Sequence, residues 1–306
     1  MRTPWGDIAV SDAHLHFFSH TFFSSLASQK QASLDEIGAA LGWKLPPEDP
    51  RALAECWRVE LDRNGLNRAA LIASVPGDEA SVAAAVAAFP NRFAGYFMLN
   101  PIAPDAEKRV RQALGEAGLR GVCLFPAMQA YSLHDPKVQP VFEAVAAHPG
   151  TVVFVHCGVL TVGVRKKLGL PSKFDMRYSN PLDLHAIALR HPEVNFVIPH
   201  FGAGMFRETL MLCDLCPNVH LDTSSGNSWI KYQTPQATLA DVFRQALAAA
   251  GGKRLLFGSD SSFFPRGWNA EILEAQLQAM QEAGVGEYEA RAILGGNFDR
   301  LFPRAA

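Results

Sequence analysis

What the chain lacks narrows its function first. No apolar run approaches the roughly 20 residues that a membrane span requires. No excess of one charge exists: 28 Lys and Arg stand against 30 Asp and Glu, for a net charge of −2. Without a long basic run, neither nucleic acid nor a membrane surface is the expected partner. Cysteine is scarce, and its five copies are scattered and odd in number. That usage predicts reduced thiols and a cytoplasmic protein. Cys213 and Cys216 form a single C-x-x-C pair with no second pair to complete a structural zinc site, so they read as packing residues. The opening Met1-Arg2-Thr3-Pro4-Trp5-Gly6-Asp7 has no apolar core of a secretory leader. Gly202-x-Gly204 lacks the further glycine and acidic partner of a dinucleotide fingerprint, so a nucleotide cofactor is not expected.

What is present is core and rhythm. At 306 residues and 48% hydrophobic composition, the chain can bury a large core. Short β-rich runs alternate with Ala/Leu-rich helical patterns. Strands are predicted over 8–13, 69–75, 93–99, 121–125, 152–155, 195–199, 219–222 and 254–258. Helices are predicted near 51–64, 79–89, 104–117, 137–147, 181–190, 204–215, 237–250 and 270–283. Pro90, Pro149, Pro192 and Pro217 each stand just past a helical pattern, where proline cannot continue the hydrogen-bond ladder. Strand then helix, eight times over, predicts an α/β fold: a closed (β/α)8 TIM barrel forming one domain over residues 1–306, with an open doubly wound sheet as the alternative.

Two strand-to-helix connections, 17–50 after the first strand and 158–180 after the fifth, are far longer than the rest. Insertions of this length are commonly functional. Both fall at the carboxyl ends of strands, the face on which barrel enzymes carry their chemistry. Polar residues gather on the same face. His14 and His16, in Ser11-Asp12-Ala13-His14-Leu15-His16, are read as ending strand 1. Residues i and i+2 of a strand face one side, so both imidazoles aim at one point, as a divalent metal requires. His156 ends strand 5, His200 ends strand 6 and Asp260 ends strand 8. Taken singly, each histidine reads as a polar residue meeting solvent, Asp260 as a weak helix cap, and the Phe201-Gly202 segment as a tight turn. Taken together, five such groups on one barrel mouth point to a catalytic metal site, with three histidines and a carboxylate as ligands and one histidine left over.

As an ordered set, Asp12-Ala13-His14-Leu15-His16, Val155-His156-Cys157-Gly158, Pro199-His200-Phe201-Gly202-Ala203-Gly204 and Gly258-Ser259-Asp260 resembles the amidohydrolase superfamily. More narrowly, the chain resembles the amidohydrolase-related family that includes aminocarboxymuconate-semialdehyde decarboxylase, γ-resorcylate decarboxylase and pyrone-dicarboxylate lactonase. The ending Leu294-Gly295-Gly296-Asn297-Phe298-Asp299-Arg300-Leu301-Phe302 is similar to that family's as well. The resemblance implies a (β/α)8 barrel whose metal is held by His14, His16, His156 and Asp260, with His200 as the acid/base or polarising residue. Many superfamily members carry a bridging lysine on strand 4. Here that strand reads Arg120-Gly121-Val122-Cys123-Leu124-Phe125-Pro126, so one metal ion is expected. Imidazole and carboxylate donors suit zinc, with manganese or iron as alternatives.

Two reactions follow from this constellation. In a hydrolase, a metal-activated water attacks an ester, lactone or amide, Asp260 relays the proton and His200 polarises the carbonyl. In a decarboxylase, His200 or Asp260 protonates the carbon that loses carbon dioxide. A non-catalytic metal-binding barrel is the third reading. The loop after strand 5 holds Arg165, Lys166, Lys167, Lys173 and Arg177 against the single acid Asp175, which predicts a small anionic organic substrate with Arg165 as its clamp. The solvated charge run is the competing reading of those lysines. Phe17, Phe18, Phe22, Phe23 and Trp43 are expected either to wall the pocket or to pack the first insertion onto the barrel. A homodimer is kept as a candidate quaternary state; nothing in the sequence sets the oligomeric state.

Overall fold

Eight parallel strands carry the architecture of the computed structural model, which describes residues 1–304 apart from Lys173 and Gly226. They are β1 (Ser11–Phe17), β2 (Arg68–Ala73), β3 (Phe93–Leu99), β4 (Gly121–Leu124), β5 (Val152–Val155), β6 (Asn195–Ile198), β7 (Val219–Asp222) and β8 (Leu255–Leu256). Each pairs with its sequence neighbour. The ring closes between β8 and β1 through Ala13 N–H to Phe257 O (2.8 Å), Asp260 N–H to His14 O (2.9 Å) and His16 N–H to Ser261 O (2.7 Å). Helices α1 (Pro50–Arg63), α2 (Glu79–Ala88), α3 (Ala106–Gly115), α4 (Gln139–Ala146), α5 (His185–Arg190), α6 (Phe206–Leu215), α7 (Leu239–Ala250) and α8 (Ala270–Glu282) fill the connections. This is the (β/α)8 TIM barrel the alternation predicted.

Local signals explain the boundaries. The Asp49 carboxylate accepts from Arg51 N–H and Pro50 occupies the first turn of α1, where its missing N–H costs nothing. A reciprocal capping box between Thr238 and Asp241 opens α7. The helices α2, α4, α5 and α6 each stop two or three residues before Pro90, Pro149, Pro192 and Pro217.

Alternation sorts the core into two layers. Leu71, Phe97, Val122, Val153, Ile198 and Leu221 point outward beneath the helices. Ile72, Tyr96, Cys123, Phe154, Val197 and Leu256 fill the barrel interior. The closing helix Asn297–Leu301 seals the floor by adding Phe298, Leu301 and Phe302 to that interior cluster. Asn297 Nδ2 ties it to Gly252 O (2.8 Å) and Leu255 O (2.7 Å), and buried Arg68 donates to Asp299 and to Phe302 O.

Two expectations shift. The first strand runs over 11–17 rather than 8–13, so His14 and His16 lie within it instead of ending it. Its cause is the site itself: a strand whose upper half faces a polar mouth reads as polar, whereas the apolar Ile8 and Val10 belong to the outer core below it. The long first connection is not a bare loop. It holds helices His20–Lys30 and Leu34–Leu41, the latter started by a Ser33–Glu36 capping box.

Candidate active site

All five residues singled out in the sequence reach one mouth. The pairing of β1 with β2 shifts register between Asp12 and Leu15, so Ala13 joins the interior cluster while Leu15 points outward. His14 and His16 both face inward, with their Nε2 atoms 3.4 Å apart. Asp260 follows β8 in the left-handed region (φ 60°), a conformation aspartate tolerates better than most residues. Its Oδ1 lies 3.2 Å from His16 Nε2 and 3.6 Å from His14 Nε2. Gly258 permits this closeness, since a Cβ there would stand 2.6 Å from Asp222 Oδ1 and 2.9 Å from His14 Cβ. His200 sits past β6 in a turn where His200, Phe201, Gly202 and Ala203 all have positive φ. Its ring centroid is 5.1 Å from that of His14 and 5.4 Å from that of His156.

Three residues of this site escaped the sequence reading. Asp222, the last residue of β7, accepts from His14 Nδ1 at 2.6 Å. Ser74 holds His16 Nδ1 at 2.7 Å. Ser224 lies 2.9 Å from Nδ1 of both His14 and His200. Asp222 ends its strand much as His156 directly follows β5, and that similar position was the available signal. Partners of this kind fix the ring orientation and tautomer of metal-ligating histidines.

Electrostatics make the centre a place for a cation. Burial disfavours charge on His14, yet Asp222, and then Asp260 and Asp12, hold its pKa up to about 9. Burial works against the Asp260 carboxylate too, but His16, His14 and His200 hold it well below the usual carboxylate range. Asp12, buried against Ser259, His14 N–H and Trp268, is raised to about 6 by that burial. Burial, with His200 and His14 nearby, pushes His156 far down, so its imidazole is neutral. His200 is lowered by burial as well.

The donor set fits a metal ion. With Nδ1–H given to Asp222, neutral His14 presents a lone pair at Nε2. His14, His16 and Asp260 offer ligand atoms that all lie within 4.8 Å of one another. Among the described residues this trio is the group so assembled, and His156 lies outside it. His156 Nδ1 is nevertheless a buried nitrogen with no hydrogen-bond partner, as an additional ligand would be. The structure thus brings His14, His16 and Asp260 together as a centre that could hold a metal, with His156 and His200 beside it.

Above them opens a cavity of about 720 Å³. Phe18, Phe22 and Trp43 of the first insertion line it, whereas Phe17 and Phe23 are buried in the packing. Both readings of that aromatic run therefore hold, for different residues. Arg165 also lines the cavity, but its Nε donates to Pro171 O (2.9 Å) and its Nη1 to Gln29 Oε1 (2.7 Å), which ties the second insertion to the first. Lys167 and Arg266 face the same space; Lys173 lies outside the described residues. No helix among those residues is long and apolar enough to cross a membrane, and all five cysteines are free thiols.

Fold and site together define a (β/α)8 barrel with a metal-capable histidine–aspartate mouth. The amidohydrolase family profile matches residues 11–304, and the chain belongs to that family. Solved structures share the fold at low identity. A 5-carboxyvanillate decarboxylase from Novosphingobium aromaticivorans, complexed with manganese, is 14% identical with a TM-score of 0.63, covering 98% of this chain and 97% of that one. A probable 2-pyrone-4,6-dicarboxylic acid hydrolase from Acinetobacter baumannii, with citric acid bound, is 15% identical with a TM-score of 0.61, covering 96% and 99%. An amidohydrolase from Burkholderia multivorans with bound zinc is 19% identical with a TM-score of 0.57, covering 97% and 99%. Among curated proteins, Protein fluG of Emericella nidulans is 32% identical over 87 residues, a stretch spanning 28% of this chain and 10% of that protein.

Proposed function

We propose that this protein is a metal-dependent hydrolase acting on an ester, lactone or amide of a small carboxylate-bearing molecule. One observation carries the choice of hydrolysis. His200 Nδ1 contacts the Ser224 carbonyl at 3.1 Å, and a carbonyl only accepts, so that nitrogen bears the proton. The neutral ring then offers Nε2 as a proton acceptor, which favours the acid/base role of His200 over the carbonyl-polarising one. Asp260, held ionised, is a second acceptor. A mouth with two proton acceptors suits removal of a proton from water; protonating a ring carbon ahead of decarboxylation needs a donor instead.

His14, His16 and Asp260, with His156, would hold one divalent ion, zinc by donor chemistry and manganese or iron as alternatives. Such an ion supplies charge stabilisation and lowers the pKa of water. His200 takes the proton from the attacking water and returns it to the leaving oxygen or nitrogen. Asp222, Ser74 and Ser224 hold the rings in register, and aromatic side chains line the space above them. The chain works on this reading as a soluble cytoplasmic enzyme.

A second reading, decarboxylation of an aromatic or muconic acid, is favoured by the flat aromatic lining formed by Phe18, Trp43 and Phe263. Product analysis separates the two. Metal-loaded enzyme is offered carboxylated lactones and hydroxybenzoates, and both acid release and carbon dioxide are measured. Acid release with no loss of carbon supports the hydrolase; carbon dioxide without water uptake overturns it. Metal analysis should find close to one equivalent per chain, and two equivalents or none contradicts the single-ion centre.

A further inference from the structure

We propose that Arg266 binds the carboxylate of the substrate, held for that task over the ring of Phe263, which is itself stacked on Trp43, and thereby sets the enzyme's preference for anionic over neutral substrates. The proposal rests on the reading of the 720 Å³ cavity as the substrate site. Among the described residues, four cations line that cavity: Arg165, Lys167, Lys231 and Arg266. They are not equivalent. Arg165 spends two donors on Pro171 O and Gln29 Oε1, which makes it a brace between the insertions. The Lys167 ammonium rests 5.6 Å from the Trp43 ring centre and that of Lys231 5.1 Å from Tyr232, at the exposed rim.

Arg266, exposed like the two lysines, differs from them in its stacking partner and its place in the chain. It lies six residues past Asp260, in the same β8–α8 connection. Its guanidinium carbon stands 4.5 Å above the Phe263 ring. Trp43 stacks on Phe263 at 4.0 Å with an 11° interplanar angle. Two groups so close to one ring centre cannot share a face, so Phe263 is sandwiched between Trp43 and the guanidinium. This layer joins the first insertion to the loop that carries the metal-facing carboxylate. It places the guanidinium over the Phe263 ring by a cation–π contact and leaves most of its N–H donors available. Of five N–H donors, one reaches a protein acceptor, Nη2 to Ser262 Oγ at 3.2 Å. Among the described residues, no carboxylate pairs with Arg266, and Asp260 is the one acidic residue lining the cavity. Burial disfavours the charge on Arg266, while the negative charge of Asp260 supports it. An anion in the cavity would do the same and would meet a preorganised, planar, bidentate partner. The edges of Phe263 and Trp43 also make the adjoining wall apolar, so an apolar ring bearing the carboxylate is the matching class.

Coumarin-3-carboxylate and coumarin-3-carboxamide test this, because they differ in charge and share a flat lactone ring. Binding of each to the full-length, metal-loaded protein is measured by calorimetry. The wild type is expected to bind the acid at least about 10-fold tighter than the amide. In Arg266→Gln that ratio falls towards one. In Arg266→Lys it stays intermediate, because a point charge replaces a fork. In Arg165→Gln the ratio is retained. A ratio unchanged in Arg266→Gln, a ratio abolished in Arg165→Gln, or no binding of the acid by the wild type overturns the proposal. The readout is binding, so a wild type that discriminates the two compounds yet opens neither lactone would sink the hydrolytic reading and leave Arg266 in place.

Discussion

At the mouth of the barrel, His14 is buried against Asp222 and Asp260 and held at a pKa of about 9. At the floor, His220 projects into the same barrel interior, is equally buried, and is pushed down to about 3 by that burial and by the charges of Arg300 and Arg254. Burial acts in the same direction on both rings. Their neighbours decide the outcome: carboxylates at one end, guanidinium groups at the other. The anionic end can accommodate a metal cation, and the cationic end repels one. The floor spends its polar groups on closing the barrel, through Arg68 to Asp299 and Asn297 to two backbone carbonyls. Each end also holds a buried imidazole nitrogen without a hydrogen-bond partner, Nδ1 of His156 at the mouth and Nδ1 of His220 at the floor, and only the first has carboxylates beside it to favour a cation.

This contrast can be broken most severely at the mouth. His16→Ala should strip the metal and reduce turnover to background, while the unfolding midpoint of the metal-free protein stays near that of the metal-free wild type. Metal analysis and denaturant titration check it together. His200→Asn should lower turnover by roughly 10²–10⁴-fold with metal retained. If the metal leaves with the imidazole, His200 is itself a ligand.

Phe298→Ala asks the reverse question at the floor. Loss of this buried interior ring should cost about 3–5 kcal/mol of stability and leave the metal stoichiometry unchanged. A fall in metal content at constant stability would join the two ends that the structure keeps apart. Asp222→Asn should weaken metal binding by roughly 10–100-fold, because His14 loses the acceptor that fixes its tautomer. Competition with a chelator of known affinity measures it.

The most gradual effect is acid sensitivity at the floor. The folded-state pKa of His220, about 3, lies below the roughly 6.5 of an unfolded histidine. Between those values the unfolded chain binds a proton that the folded chain does not. Stability is therefore full above about pH 6.5 and is lost as pH falls towards 3, at a rate of at most about 1.4 kcal/mol per pH unit from this group. His220→Gln should remove that part of the slope in urea titrations between pH 6.5 and 4. An unchanged slope would mean that the ring is not held neutral.

Much of this molecule was legible from residue order. The barrel followed from eight units and four helix-stopping prolines, because local patterning and proline geometry need no tertiary information. The His14–His16 pair followed from strand alternation, with its shift of strand bounds caused by the polar mouth. Asp222, Ser74 and Ser224 were not legible as site residues, because each acts only by touching a histidine from a distant segment; Asp222 and His14 are separated by 208 positions.

The sequence by itself determined the fold class and which five residues meet at the mouth, since periodicity and the order of strands suffice to place them, and its ordered motifs carried the resemblance to the family. The tertiary structure alone decided their chemistry. Which histidine is pushed towards charge and which away from it, where His200 finds its carbonyl, and why Arg165 braces two insertions while Arg266 stacks on Phe263 all depend on partners from distant segments brought together by folding. A pKa and a tautomer belong to a surrounding, and a surrounding exists only once the chain has folded.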